Sequence, residues 1–189
     1  GNDVHAKDVS KEAKGFGLDL HFSQEEAQKR LTVQSSTNLH KLPFQATEFI
    51  GRDLEKKQLA EQIHEKTCHL LTIVGPGGIG KTRLAIASAG EHVDTFDDGV
   101  CFVSFAAVAS TDLMVYTLAD ALELSLIGQR PPKDQILHYL KDKTMLLVLD
   151  NLEHLLAGTD LISEILATSS NIKILATSRE RLSLQSEHL

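Results

Sequence analysis

The stretch Leu70-Leu71-Thr72-Ile73-Val74-Gly75-Pro76-Gly77-Gly78-Ile79-Gly80-Lys81-Thr82 carries the reading of this chain. Leu70, Leu71, Ile73 and Val74 form a short apolar run, the pattern of a strand buried on both faces of a parallel sheet. Gly75 to Thr82 then satisfies G-x-x-x-x-G-K-[ST] at every fixed position. Glycines let the backbone curl until its N–H groups point inward at phosphate oxygens. A helix starting near Lys81 adds unpaired N–H groups and its positive dipole end. Lys81 reaches the β- and γ-phosphates as a flexible point charge, and the Thr82 hydroxyl is placed to ligate Mg²⁺. A bare glycine turn between strand and helix is the competing account. The buried strand before the motif and the helix through Leu84, Ile86 and Ala89 after it favour phosphate binding.

Outward from this motif the pattern is regular. Asp53 is placed to cap a helix carrying Leu54, Leu59 and Ile63. Val100–Phe105 and Ile172–Ala176 read as strands, and Met145–Leu149 as a buried strand ending in Asp150. Helices are expected through Leu113–Leu122, from Pro131 and Pro132 through Leu140, and over Leu161–Leu166. Strands alternating with helices give an α/β domain with a parallel sheet, whose ligands bind at the carboxyl ends of the strands. Toward the N-terminus, Phe16, Leu18, Leu20 and Phe22 alternate with polar residues or glycine and suggest a strand. Ser23 followed by Glu26 is a capping-box pattern for a helix to about Val33. Ser35 to Asn38 read as a linker, and Pro43 keeps the chain near Leu42 extended. The expected division is residues 1–41 as an extension or linker of uncertain role and 42–189 as the nucleotide-binding domain.

Composition narrows the classes. Of the 189 residues, 42% are apolar and 24% charged, ordinary values for a globular domain. No run of about 18 apolar residues exists, so no membrane span is expected. Nineteen basic against 26 acidic residues leave a net charge of −7, which disfavours direct nucleic-acid binding. Cys68 and Cys101 suit a reducing, cytoplasmic setting better than a disulfide scaffold. The nine histidines and two cysteines show no zinc spacing.

Two further motifs carry chemistry. Asp150 emerges from its apolar strand where a carboxylate holds Mg²⁺ through its water shell, 69 residues after Lys81. The competing account is capping of the segment starting at Leu152. Thr177-Ser178-Arg179 follows the Ile172 strand. Arg179 is a candidate to meet a γ-phosphate and so to report ATP over ADP, against a surface pairing with Glu180 or Glu187. Thr177 and Ser178 either orient a water or cap the next helix.

Phe49-Ile50-Gly51-Arg52, the Gly75–Thr82 loop, Leu149-Asp150-Asn151-Leu152-Glu153-His154 and Ala176-Thr177-Ser178-Arg179 together resemble the STAND signal-transduction ATPases. The nearest likeness is to the NB-ARC-like branch found in bacterial transcriptional regulators, from about Leu42 to Leu189. The resemblance implies a P-loop NTPase three-layer α/β/α domain with a mostly parallel sheet in the ASCE-type strand order, truncated after the sensor arginine. Phe49, Ile50, Gly51 and Arg52 would wrap the adenine. Gly75, Pro76, Gly77, Gly78, Ile79, Gly80, Lys81 and Thr82 would cradle the phosphates of ATP or ADP. Thr82 and Asp150 would hold Mg²⁺, and Arg179 would sense the γ-phosphate. His154 fits the pattern as a structural histidine, and Arg83 is expected on the helix surface. Effector and sensor domains elsewhere in a longer chain, and an ATP-dependent homo-oligomer, are the implied partners.

Asn151 departs from the broader group, which often places Glu directly after the Mg²⁺ carboxylate to polarise the attacking water. An amide lacks a base's proton affinity. A slow nucleotide switch is therefore favoured over a working AAA+ loader or remodeller. A small-molecule kinase would want an arginine-bearing lid, and a nucleotide-free interaction module leaves all four motifs unexplained. For the sheet, the expected order is the Leu70 strand, the Ile172 strand, the Met145 strand, then the Val100 strand. The fifth strand, on the other side of the Leu70 strand, is expected only after Leu189, with Phe16–Phe22 a candidate cover for that edge. Cys68 and Cys101 then lie too far apart to bridge.

Overall fold

The computed structural model describes residues 39–189. The strand and helix expected between Phe16 and Val33, and the Phe16–Phe22 cover, lie outside the described residues. Six parallel strands form one sheet: β1 (Leu39–Lys41), β2 (Leu70–Val74), β3 (Gly99–Ser104), β4 (Met145–Asp150), β5 (Ile172–Ser178) and β6 (Glu187–His188). Their order across the sheet is β1-β3-β4-β5-β2-β6. The inner four follow the expected order, with β5 between β2 and β4. The register pairs Leu71 with Leu175, Leu147 with Ile174, and Val103 with Leu149.

Alternation along the strands builds both layers of core, because successive side chains leave opposite faces. Met145, Leu147 and Leu149 join Val103, Ile172, Ile174 and Ala176 on one face. That face is covered by α3 (Met114–Ala121), α4 (Pro132–Leu140) and α5 (Thr159–Thr168), through Leu118, Ile136, Leu140, Ile162 and Ile165. Leu146 and Val148 join Leu71, Val100 and Leu175 on the other face. There α1 (Asp53–His64) and α2 (Lys81–Gly90) contribute Leu59, Ile63, Leu84, Ala85 and Ala89. The result is the three-layer α/β/α arrangement.

Both sheet edges differ from the expectation. β6 pairs with β2 in register Leu70↔Glu187 and Leu71↔His188, so the strand expected only after Leu189 already begins at Glu187. β1 pairs with β3 in register Leu39↔Gly99 to Lys41↔Cys101, ahead of Leu42, where the sequence places the domain's start. Gly99 makes this approach feasible: at φ 95 a Cβ there would sit 2.5–2.7 Å from Leu39 backbone atoms. Asp53 does not cap α1. Arg52, in the left-handed region at φ 57, is the capping residue without a side-chain cap bond, and Asp53 is the first helical residue. Asp53 and Glu55 instead place negative charge in the first turn, favourable to the helix dipole. Cys68 and Cys101 are both free and buried. Two strands, β4 and β5, separate β3, which carries Cys101, from β2, which Cys68 precedes.

Candidate functional site

The carboxyl ends of β4 and β5 and the first turn of α2 meet at Asp150. β4 is buried along its whole length, and Asp150 closes it at 7% exposure. Its Oδ1 accepts a hydrogen bond from Thr82 Oγ1 at 2.6 Å, from the first turn of α2. The same oxygen accepts from Thr177 Oγ1 at 2.7 Å, from the end of β5. Thr177 in turn accepts from the Asn151 amide at 3.0 Å. Asp150 therefore caps no helix; its carboxylate is the junction of three elements. Thr177 neither caps a helix nor lies beyond its strand. It is 1% exposed inside β5 and orients the Asp150 carboxylate. A lone threonine after an apolar run carries no sign of such a partner 27 residues away.

The glycine-rich loop bends from β2 into α2. Gly80 precedes the helix at φ 86, a left-handed conformation that side chains rarely adopt. Among the described residues the amides of Gly77, Gly78 and Gly80 donate to no protein acceptor. The first amides of α2 likewise have no intrahelical partner by helix geometry. Lys81 departs from the exposed position its role suggests: it is 8% exposed. Its ammonium donates to the Gly75 carbonyl at 2.8 Å and the Pro76 carbonyl at 3.1 Å. These bonds hold the positive charge against the loop's own carbonyls.

Phe49, Ile50, Gly51 and Arg52 lie beside this loop. The Arg52 guanidinium donates to the Ile79 carbonyl. Arg83 is exposed on the helix surface, as expected, and makes contacts there. It donates to the Thr47 carbonyl at 3.1 Å, the Thr47 hydroxyl at 3.0 Å and the Glu48 carbonyl at 3.3 Å. Its guanidinium carbon also sits 5.7 Å from the centre of the Phe49 ring. Arg52 thus fastens the candidate adenine segment to the candidate phosphate loop, and Arg83 ties α2 to the residues just before that segment. Ile50 stays 87% exposed.

Arg179 does reach the loop. A Cβ on Gly77 would lie 3.4 Å from an Arg179 terminal nitrogen. Arg179 Nε donates to Glu153 Oε1 at 2.9 Å, so its partner is neither Glu180 nor Glu187. His154 is the structural histidine expected. Its Nε2 donates to the Val108 carbonyl at 2.9 Å, which leaves Nδ1 to accept from Asn151 Nδ2 at 3.4 Å. Asn151 holds φ 68, a left-handed turn that side-chain amides tolerate.

The donor set fits a hard cation and a polyphosphate. The Thr82 hydroxyl and Asp150 carboxylate stand side by side as oxygen ligands, the kind Mg²⁺ takes. The loop offers amides and an ammonium on the adjoining side.

A strand-loop-helix with this loop, next to a strand inserted between it and the Asp150 strand, defines a P-loop NTPase. The NB-ARC domain model matches residues 52–185, and the chain belongs to that family, within the STAND class of P-loop ATPases. It is accordingly a nucleotide-binding ATPase domain. A Mycobacterium tuberculosis protein whose name provisionally makes it an HTH-type transcriptional regulator is 41% identical over 121 residues. That match covers 62% of this chain but only 13% of the regulator. An uncharacterized protein of the same organism is 32% identical over 160 residues, covering 84% of this chain and 39% of its own length. The crystal structure of Cdc6p from Pyrobaculum aerophilum shares the fold with a TM-score of 0.51 at 13% identity, over 72% of this chain and 42% of that one. Among the described residues, no helix is long and apolar enough to cross a membrane.

Proposed function

We propose that this domain is an ATP/ADP switch with slow hydrolysis, governing assembly or a transcriptional output delivered by other parts of a longer protein. The observation that carries the reading is the Thr82–Asp150–Thr177 junction beside a loop whose glycine amides are uncommitted. Gly75 to Thr82 hold the phosphates, Thr82 and Asp150 hold Mg²⁺, Phe49 to Arg52 face the adenine, and Arg179 meets the γ-phosphate. Bound Mg²⁺ would neutralise charge on the β- and γ-phosphates. Slow turnover follows from the position after Asp150. Asn151 commits its side-chain nitrogen to His154 and its backbone amide to Thr177, and it has no basic atom to take a proton from water.

The name of the 41% relative supports a transcriptional output. The charge of −7 places any DNA contact in another domain. Two buried free thiols suit a reducing cytoplasm. An ATP-dependent homo-oligomer would appear as a shift in size-exclusion elution with ATP and not with ADP.

The test is steady-state phosphate release by the wild type, Asp150→Ala and Asn151→Glu. The switch predicts a wild-type rate well below the roughly 1–100 s⁻¹ of kinases and a gain in Asn151→Glu. A wild-type rate near 1 s⁻¹ (about the lower end of that range), abolished by Asp150→Ala, overturns it in favour of a working AAA+-type ATPase.

A further inference from the structure

Glu153 follows Asp150 by three residues, on the short turn Leu152–His154. That turn is held from both ends. The Asn151 amide bonds Thr177, and the His154 ring bonds Val108. The Glu153 side chain is only 15% exposed, whereas its partner Arg179 is 66% exposed. Glu153 takes the Nε edge of the guanidinium at 2.9 Å. A guanidinium presents five N–H donors in a planar fork, so an acceptor at Nε leaves the terminal nitrogens free. One of these terminal nitrogens faces Gly77 of the phosphate loop.

We infer that Glu153 is a positioning residue: it anchors Arg179 through Nε so that the terminal nitrogens face the γ-phosphate position before ATP arrives. The inference rests on Arg179 being the γ-phosphate contact proposed above. It gives the turn after Asp150 a purpose. Asn151 and His154 fix the turn, the turn fixes Glu153, and Glu153 fixes the arginine. An exposed arginine without this anchor would have to be ordered when ATP binds, and ordering one rotamer-rich side chain weakens binding by roughly two- to tenfold. ADP, lacking the γ-phosphate, would not feel the loss.

The test measures Mg-ATP and Mg-ADP dissociation constants for the wild type, Glu153→Ala, Glu153→Gln, Arg179→Ala and the Glu153→Ala/Arg179→Ala double variant. Glu153→Ala is expected to weaken ATP by about two- to tenfold and leave ADP unchanged. Glu153→Gln keeps a carbonyl acceptor for Nε and removes a negative charge near the phosphate, so it is expected to bind ATP at least as well as the wild type. In the Arg179→Ala background, Glu153→Ala should add nothing. Unchanged ADP affinity reports that each variant is folded. Equal ATP affinity in Glu153→Ala and the wild type, or tighter ATP binding in Glu153→Ala, overturns the positioning role while leaving the switch standing. Failure of the wild type to bind either nucleotide overturns both.

Discussion

At the carboxyl ends of the strands, side chains from α2, β4 and β5 converge on one carboxylate, beside glycine amides that have no protein acceptor among the described residues. At the amino ends, polar side chains finish on neighbouring segments, mostly on their backbone. Asp98 accepts from the Lys143 ammonium and from the Thr144 amide, each at 2.7 Å, and so clasps the starts of β3 and β4. Lys173 donates to the Cys68 carbonyl at 2.8 Å and to the Glu65 carbonyl at the end of α1. The amino end thus spends its charges closing chain ends, which stabilises the fold and leaves little to offer a ligand. The carboxyl end keeps donors in reserve. A buried charge alone does not mark a site; what marks it is the presence of uncommitted backbone donors next to it.

Paired lysine variants are the strongest way to break this contrast. With Mg-ATP at about 100 dissociation constants, wild-type stability should rise by roughly 2.7 kcal/mol. For a domain of this size that is a melting shift on the order of 5–10 °C. Lys81→Met should abolish most of the shift. Lys173→Met should keep it whole while lowering the melting temperature without nucleotide by about 2–4 °C, the effect of about 1 kcal/mol of hydrogen bonding. Differential scanning fluorimetry reads both, and a shift that survives in Lys81→Met would remove the carboxyl end from the site.

Asp98→Ala should cost about 1–3 kcal/mol, because the Thr144 amide and Lys143 lose their acceptor. Burial pushes the Asp98 carboxyl up, but the Lys143 and Thr144 hydrogen bonds and the Lys143 charge together outweigh it and hold it below the ordinary 3.8. A carboxylate depressed in the folded state stabilises fully above the ordinary value, and that contribution is lost as pH falls through the lower folded value. The gap between wild type and Asp98→Ala in urea melts should therefore be constant near neutrality and shrink below about pH 4.

A smaller effect sits at His92. Burial lowers its pKa from 6.5, helped by the neighbouring His64 ring, which meets it edge-on at 4.9 Å; Glu91 opposes the shift. The unfolded chain takes up the proton first as pH falls below 6.5, so His92 erodes stability on acidification. His92→Phe should flatten the fall in stability between about pH 6.5 and 5. Urea melts at several pH values give the slope, and an unchanged slope would show that another group carries it. The thiols give the smallest signal. Burial pushes Cys101 up to about 12 and raises Cys68 as well. Neither should react with an aromatic disulfide reagent in the native state at neutral pH, and both should do so once unfolded.

The parts of this architecture carried by continuous sequence were legible. The β2–loop–α2 unit and the apolar β4 ending in Asp150 announce themselves in runs of adjacent residues, and the inner strand order follows from the class they define. The edges were not. β6 is two residues, Glu187–His188, with no apolar run, and its pairing is made by backbone groups common to every residue. β1 has a polar centre at His40 and sits beside a segment that reads as linker. The junction at Asp150 was half visible: Thr82 and Asp150 are motif positions, whereas Thr177 acquires its partner only when β5 is laid beside β4. The contacts of Arg83 were missed for a related reason. Its three acceptors are a hydroxyl and two backbone carbonyls more than 30 residues upstream, and backbone acceptors leave no trace in a sequence.

Arg83 also carries a mechanical consequence. It directly follows Thr82, so the side chain that grips Thr47 and Glu48 is rooted one residue from a candidate metal ligand. Between Thr47 and Arg83 the chain runs out through α1, back through β2 and is buckled at its base, and Arg52 adds a second buckle at Ile79. A pull on the chain ahead of Thr47 is transmitted to the first turn of α2 through a strap one side chain long. The tie from Thr47 and Glu48 to the first turn of α2 therefore bypasses the sheet.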